Sequence, residues 1–219
     1  MLTRAAAVAA ILLVPGVMLR STPAPLDVER SDQAATQGKP GAPVPAPAPT
    51  KPDPNLKLHD LKIERMTAEA FKPFGELFDA KERPADHRII APDKGFEIKG
   101  NTVVSVIWQP AEGMLFTQLE RHFNVTQSFV PIHGSPSVVA VAAPTNNSDP
   151  NDVPRPEQVH AFLIDGTVGF RYKIGTWHSL NRHILYPPGA TFLMINVSPN
   201  PSEVVDYDKK FGVMFRVVL

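Results

Sequence analysis

Alternating apolar and polar residues form many short runs after residue 60, and this pattern predicts β-strands. Successive side chains of a strand point to opposite faces, so each run buries one face and exposes the other. Glycine and proline separate the runs at short intervals, which favours a β-sandwich or barrel over parallel α/β units. The expected strands are residues 61–63, 88–91, 102–109, 114–122, 128–132, 137–142, 158–163, 167–171, 183–186, 191–196 and 213–218.

One short helix is predicted directly after the first of these strands. Thr67 suits the N-cap position, Glu69 lies in the first turn, and Phe71 supplies an apolar anchor. Pro73 and Gly75 then end the helix. We therefore expect residues 58–219 to form one mainly β domain with a short N-terminal helix, long enough to bury its own core.

The first 20 residues have the pattern of an export signal. Arg4 precedes an apolar run at residues 5–14, which Pro15 and Gly16 break. A membrane span needs roughly 20 apolar residues, so this run is short for a transmembrane helix. No clean cleavage site follows, and an uncleaved membrane tether through residues 1–20 stays open beside a cleaved signal peptide. We expect an exported protein, periplasmic or secreted, with a cytoplasmic location as the alternative.

Residues 21–57 are expected to be a disordered linker between this signal and the domain. Prolines recur at every second position from Pro43 to Pro49, which favours an extended polyproline II spacer. Such a segment cannot bury enough apolar surface to offset the entropy lost on ordering. A proline-rich peptide ligand is the alternative interpretation.

The overall composition excludes several classes of protein. Lys+Arg and Asp+Glu both number 22 and form no basic block, so nucleic acid is not expected as a partner. The chain has no cysteine, which excludes a disulfide framework and a thiol nucleophile. The chemistry must therefore come from other side chains.

Candidate chemistry is concentrated at residues 119–134. Glu120 and His122 lie two positions apart in a predicted strand and so share one face. A turn at Asn124 would return Gln127 to that face on the neighbouring strand. A carboxylate, an imidazole and an amide would then converge inside a β-structure. The competing interpretation makes His122 a hydrogen-bonded core histidine and Glu120 a surface ion-pair partner.

The spacing of these residues resembles the first metal-binding motif of the cupin superfamily. Glu120, His122, Gln127 and Gly134 occupy its positions, and a second cupin-like stretch follows at residues 187–196. The resemblance implies a jelly-roll β-barrel. Gln127 and Phe192 stand where metal ligands are expected, so we expect no tightly bound metal, and at most a weakly bound divalent ion.

More specifically, the chain is similar to the ureidoglycolate lyase family of purine and allantoin catabolism. The matching motifs lie in order at residues 70–75, 120–122, 126–131 and 177–178. The resemblance implies a carbon–nitrogen lyase that cleaves (S)-ureidoglycolate to glyoxylate and urea, and a homodimer. It also implies that His122 and His178 share the acid and base roles and that Glu120 tunes one of them.

The implied substrate carries a carboxylate, which an arginine or lysine would bind. The candidates for this role are Arg88, Arg121, Lys173 and Arg182, and the sequence does not choose among them. The expected substrate-binding set is Gln127, Arg121, Lys173 and Asn196. The chain departs from the family pattern where Ser179 follows His178. An exported, non-catalytic domain that binds a small hydroxy acid or a sugar is the alternative function, and the export signal supports it because purine catabolism usually occurs inside the cell.

Overall fold

The computed structural model describes residues 49–78 and 95–219. These residues form fourteen strands, two short α-helices and a 3-10 turn at Pro156–Gln158. The helices are α1 (Ala68–Phe71) and α2 (Tyr207–Phe211). The strands are β1 (Lys57–Arg65), β2 (Gly75–Leu77), β3 (Asn101–Pro110), β4 (Leu115–Phe116), β5 (Gln118–His122), β6 (Ser128–Gly134), β7 (Ser137–Ala142), β8 (His160–Ile164), β9 (Phe170–Tyr172), β10 (Trp177–Ser179), β11 (His183–Ile184), β12 (Gly189–Ser198), β13 (Ser202–Asp206) and β14 (Val213–Val218).

The strands form two sheets. The larger sheet has the order β13-β5-β10-β7-β8-β1-β14-β4, with β11 paired to β7, and the smaller sheet has the order β2-β9-β6-β12-β3. Most neighbours are antiparallel, but β1 runs parallel to both β8 and β14. The sheet curls into a half-barrel, so the expected mainly β, cupin-like fold is confirmed.

Strand β7 is buried on both faces and separates two apolar clusters. Val138, Ala140 and Ala142 belong to one cluster, and Val139 and Val141 belong to the other. This double burial explains why β7 is a continuous apolar run rather than an alternating one. The second cluster fills the space between the two sheets, with Phe71, Phe129, Phe162, Phe170 and Phe192 among its members.

The predicted N-terminal helix is confirmed in the form of α1. The Thr67 hydroxyl accepts a hydrogen bond from the Ala70 amide at 3.2 Å, as expected for an N-cap. Phe71 is fully buried and makes edge-to-face contacts with Phe162 and Phe170. Because Phe162 lies on the larger sheet and Phe170 on the smaller one, this anchor fixes the start of the domain between the two sheets.

Two expectations about the strands are wrong. The expected strand at residues 114–122 is divided at Thr117, because β4 pairs with β14 while β5 pairs with β10 and β13. Gln127 does not return on a neighbour of β5, since the strand that follows it, β6, belongs to the smaller sheet. The structure also contains elements that the pattern did not predict: β2, β10, β13 and α2.

Several sequence expectations lie outside the described residues. They include the expected strand at residues 88–91, Arg88, the signal at residues 1–20 and most of the linker at residues 21–57. Within the described ranges, neither helix is long and apolar enough to cross a membrane.

Candidate active site

A carboxyl group and two imidazoles meet where β5 pairs with β10. Glu120 and His122 share a face of β5, and Glu120 lies directly opposite His178 in the antiparallel register. Glu120 Oε1 is 3.9 Å from His122 Nε2 and 3.8 Å from His178 Nδ1. The two imidazole rings lie 5.2 Å apart between centroids. Strand pairing therefore assembles the three residues that the family resemblance implied for catalysis.

The imidazole nitrogens of this cluster are buried and mostly without partners. His122 is 7% exposed, and neither of its ring nitrogens has a hydrogen-bond partner. His178 is 1% exposed, and its Nδ1 lies 3.1 Å from the carbonyl oxygen of Ser179. Because a carbonyl oxygen only accepts, Nδ1 of the neutral ring carries the hydrogen and Nε2 keeps its lone pair. That Nε2 atom has no partner either, as expected for a group that awaits a ligand.

Burial moves the protonation equilibria of the cluster in opposite directions. It raises the pKa of Glu120 to about 7, although the positive charge of Arg182 opposes the shift. It lowers the pKa of His122 to about 4, and it lowers the pKa of His178 well below the usual histidine range. Desolvation disfavours the charged form in each case. At neutral pH both imidazoles are therefore neutral, and Glu120 is divided between its acid and its carboxylate.

Aromatic side chains of the smaller sheet form one wall of the site. Tyr172 of β9 stacks on His178, with the centroids 4.5 Å apart and the rings 8° from parallel. Phe129 of β6 packs edge-on against Tyr172, and the Arg182 guanidinium lies 4.1 Å above the Phe129 ring. The cluster thus faces the space between the two sheets.

Gln127 and Asn196 lie on the side of the smaller sheet. Gln127 is buried just before β6, its carbonyl oxygen accepts a hydrogen bond from the Tyr172 amide at 2.9 Å, and its side-chain Oε1 has no partner. Asn196 lies on β12, and its Oδ1 accepts a hydrogen bond from the Val197 amide at 2.9 Å. Gln127 is therefore held beside the tyrosine that covers His178.

The structure places Arg121 and Lys173 away from the cluster. Arg121 lies on the opposite face of β5 from Glu120, where it pairs with Glu203 at 2.6 Å and stacks over Trp177 at 4.5 Å. The Lys173 ammonium group donates to the backbone carbonyls of Lys72 and Pro73 at the end of α1. Both cations therefore bind groups outside the cluster, and neither contacts the imidazoles.

Arg182 and Gln109 form a polar pair beside the aromatic side chains of the site, and the charge of Arg182 acts on Glu120. Arg182 was one of four cations between which the sequence could not choose, and Gln109 was missed. Arg182 Nε donates to Gln109 Oε1 at 2.6 Å. The available signal was a polar side chain at position 109, on the inward face of β3 with Ile107 and Ser105.

The cluster also fits a divalent cation. Glu120, His122 and His178 each offer one ligand atom, and these atoms all lie within 4.8 Å of one another. Three nitrogen or oxygen ligands with an open position are typical of catalytic metal sites. Phe192, which occupies the position of the further cupin ligand, is buried in the apolar core and contributes none.

Sequence comparisons with known proteins match the chain to one family. A sequence model described as ureidoglycolate lyase matches residues 58–209. A ureidoglycolate lyase of Azotobacter vinelandii is 33% identical over 129 residues, covering 54% of this chain and 74% of that protein. A ureidoglycolate lyase of Pseudomonas fluorescens is 31% identical over 134 residues, covering 55% of this chain and 75% of that protein. The chain therefore belongs to the ureidoglycolate lyase family.

Proposed function

We propose that the protein cleaves a carbon–nitrogen bond of (S)-ureidoglycolate and releases glyoxylate and urea. The observation that carries this proposal is the buried meeting of Glu120, His122 and His178, whose ring nitrogens are largely without partners. The family membership supplies the substrate. A buried acid–base cluster with open hydrogen-bonding capacity is what such a reaction needs.

The reaction moves one proton and breaks one bond. A base takes the proton of the substrate hydroxyl, the oxygen electrons form the carbonyl of glyoxylate, and the carbon–nitrogen bond breaks. The leaving nitrogen then takes a proton to give urea. Because the proton lost by oxygen equals the proton gained by nitrogen, one cluster can run the whole cycle without exchange with solvent.

The electrostatics of the site favour a division of roles that differs from two histidines acting alone. The Nε2 lone pair of His178 is suited to accept the hydroxyl proton, because Nδ1 is committed to Ser179. Glu120, with a pKa of about 7, is suited to donate to the leaving nitrogen and to recover the proton afterwards. His122 lies beside both groups and completes the path as a neutral donor or acceptor.

A divalent cation held by Glu120, His122 and His178 would polarise a bound substrate oxygen and lower the pKa of its hydroxyl. We propose that such an ion binds weakly, since the cupin ligand positions at Gln127 and Phe192 hold no strong ligand. The proton path above uses only side chains of this chain.

The compartment and the assembly of the protein are further proposals. The apolar run at residues 5–14 supports export, with cleavage or a membrane tether through residues 1–20. The family resemblance supports a homodimer. Large exposed apolar side chains on the outer face of the smaller sheet give such a dimer a surface, and they include Val104, Val106, Trp108 and Ile132.

Incubation of the full chain with ureidoglycolate tests the function, with glyoxylate release followed over time. The wild type should turn over, and Glu120→Gln and His178→Asn should each lower the rate by roughly 10²-fold or more. The exposed Lys209→Met variant is the control and should keep the rate. Binding of hydroxy acids without any turnover would instead favour the non-catalytic binding domain.

A further inference from the structure

We infer that Arg182 is the receptor for the substrate carboxylate and that Gln109 is the residue that positions it. The inference rests on the proposed function for the reaction, but it concerns a different part of the same site. It predicts a specificity: ligands must carry an anionic carboxylate next to the hydroxyl-bearing carbon.

Arg182 is a buried arginine whose guanidinium has no carboxylate in direct contact within the described part of the chain. Arg182 is 6% exposed, and among the described residues no carboxylate forms a direct ion pair with its guanidinium, although the more distant Glu120 and the Tyr172 hydroxyl both interact with it. A buried charge is costly unless it is paired and hydrogen-bonded. The rings of Phe129 and Phe192, at 4.1 and 5.8 Å, offset only part of this cost. An anionic ligand would supply the missing partner.

Arg182 lies near the imidazoles and is linked to them by a chain of aromatic contacts. Its guanidinium covers Phe129, Phe129 packs against Tyr172, and Tyr172 stacks on His178. The positive charge of Arg182 also acts on Glu120 and on His178, so the cation lies close to the cluster. A small acid bound between them would present its carboxylate to Arg182 and its hydroxyl to the cluster.

Gln109 orients the Arg182 guanidinium through two hydrogen bonds. Gln109 Oε1 accepts hydrogen bonds from Arg182 Nε at 2.6 Å and from the Arg182 amide at 3.3 Å. Gln109 Nε2 in turn donates to Asn181 Oδ1 at 3.2 Å, which fixes the direction of the amide. With Nε held in this way, a ligand carboxylate would bind the terminal nitrogens of the fork beside the Tyr172 hydroxyl, which interacts with the same guanidinium.

The other candidate cations near the domain core are already committed. Arg121 pairs with Glu203, Arg171 pairs with Glu76, and Lys173 donates to backbone carbonyls. Among these candidates in the described part of the chain, Arg182 alone is buried without a carboxylate in a direct ion pair. This difference selects it.

A comparison of two ligands on the unaltered, full-length protein tests the specificity. Glycolate carries the carboxylate, and glycolamide is its uncharged counterpart of similar shape. We expect titrations followed by NMR to give a dissociation constant at least about 10-fold lower for glycolate, because the amide leaves the guanidinium unpaired. Equal affinity for the two ligands would overturn the inference.

Two variants then test the residues. Arg182→Met should remove the preference for glycolate. Gln109→Glu should place a carboxylate against the guanidinium, compete with the ligand and weaken glycolate binding by about 10-fold or more while the melting temperature is kept or raised. The matched control is Arg216→Met, at an arginine that pairs with Asp60 on the surface, and it should bind glycolate like the wild type.

The outcomes separate this inference from the lyase assignment. Selective glycolate binding that depends on Arg182, in a protein without lyase activity, would keep the carboxylate receptor and reject the reaction. Lyase activity with an unchanged KM in Arg182→Met, or loss of glycolate binding in Lys173→Met instead, would reject the receptor. If Arg182→Met does not fold, the ligand comparison and the Gln109→Glu variant decide the question.

Discussion

The side chains of the site owe their chemistry to burial that is incomplete at one carboxyl and nearly complete at two imidazoles. Glu120 keeps 22% of its side chain exposed, so it can exchange protons while its pKa rises to about 7. His122 and His178 stay neutral because burial disfavours their charged forms. The carboxyl pKa is raised above those of the two imidazoles, which reverses their ordinary order. Such opposite shifts are typical of sites in which one group acts as an acid and another as a base.

The replacement His122→Asn tests whether this imidazole carries protons or supports the core. Both ring nitrogens of His122 lack hydrogen-bond partners, so the replacement leaves no other group without its partner. We therefore expect the free energy of unfolding to shift by less than about 1 kcal/mol. The turnover rate should fall by roughly 10²–10⁴-fold. The control His160→Asn removes an exposed histidine that pairs with Glu64 and should keep the rate. Full activity in a folded His122→Asn protein would remove His122 from the proton path.

The pH dependence of stability tests the raised pKa of Glu120. The folded value of about 7 exceeds the ordinary value of 4.5, so the folded state binds the proton more tightly and loses stability as the pH rises from about 4.5 to 7. His122, lowered from 6.5 to about 4, acts in the opposite sense and gains stability as the pH rises through that window. The two slopes partly cancel in the wild type.

Glu120→Gln removes the fall in stability with rising pH that the Glu120 carboxyl group causes. We expect the variant to gain stability steadily between pH 4 and 6.5 and to be more stable than the wild type at pH 8 by about 1–3 kcal/mol. Chemical denaturation at a series of pH values measures this difference. A variant that is less stable than the wild type at pH 8 would show that the Glu120 carboxylate is not disfavoured in the folded protein.

The pairing of strands decides how much of the site a sequence can reveal. Glu120 and His122 share a face by simple alternation, so their convergence was predictable. His178 joins them through β10, which spans only Trp177–Ser179 and is too short for a periodic pattern. The family resemblance found His178, whereas Tyr172 depends on packing between the sheets, and the only local signal for Gln109 was a polar side chain on the inward face of β3.

Gly134 tests the junction that holds β6 against β12. Its φ is +112°, and a Cβ there would lie 2.5 Å from the Gly189 carbonyl oxygen and 2.6 Å from Ala190 Cα. Because backbone atoms cannot move aside cheaply, we expect Gly134→Ala to lower the free energy of unfolding by about 2–4 kcal/mol. The change is measured by denaturant unfolding.

The matched control for this variant is Gly166→Ala. Gly166 also has a positive φ, +89°, but a Cβ there would meet nothing within 4 Å. Only the conformational cost applies, about 1–2 kcal/mol. Equal losses in the two variants would show that the contact between β6 and β12 is not sterically tight at Gly134.

The whole chain has two parts: residues 1–20 have the pattern of an export signal, and the domain after the linker matches the ureidoglycolate lyase family. The domain start expected at residue 58 coincides with the start of the family match at residues 58–209. The mainly β class followed from alternation and from Gly and Pro punctuation. The order of strands did not, because pairs such as β1 with β14 join residues far apart in the chain.

A reporter fused after Lys57 tests export. Arg4 and the apolar run at residues 5–14 lead us to expect the reporter outside the cytoplasm, free or attached to the membrane. The matched control is the same fusion without residues 1–20, which should stay inside the cell. A reporter that is wholly cytosolic with residues 1–20 present would reject the signal.

The products of the reaction test the central claim most directly. Racemic ureidoglycolate is incubated with the full-length protein, and glyoxylate, urea and ammonia are measured against a sample without protein. The account predicts one urea for each glyoxylate, no ammonia above the blank, and a rate that falls sharply when only the (R) enantiomer remains. Glyoxylate formed with ammonia in place of urea, or no acceleration over the blank, would contradict it.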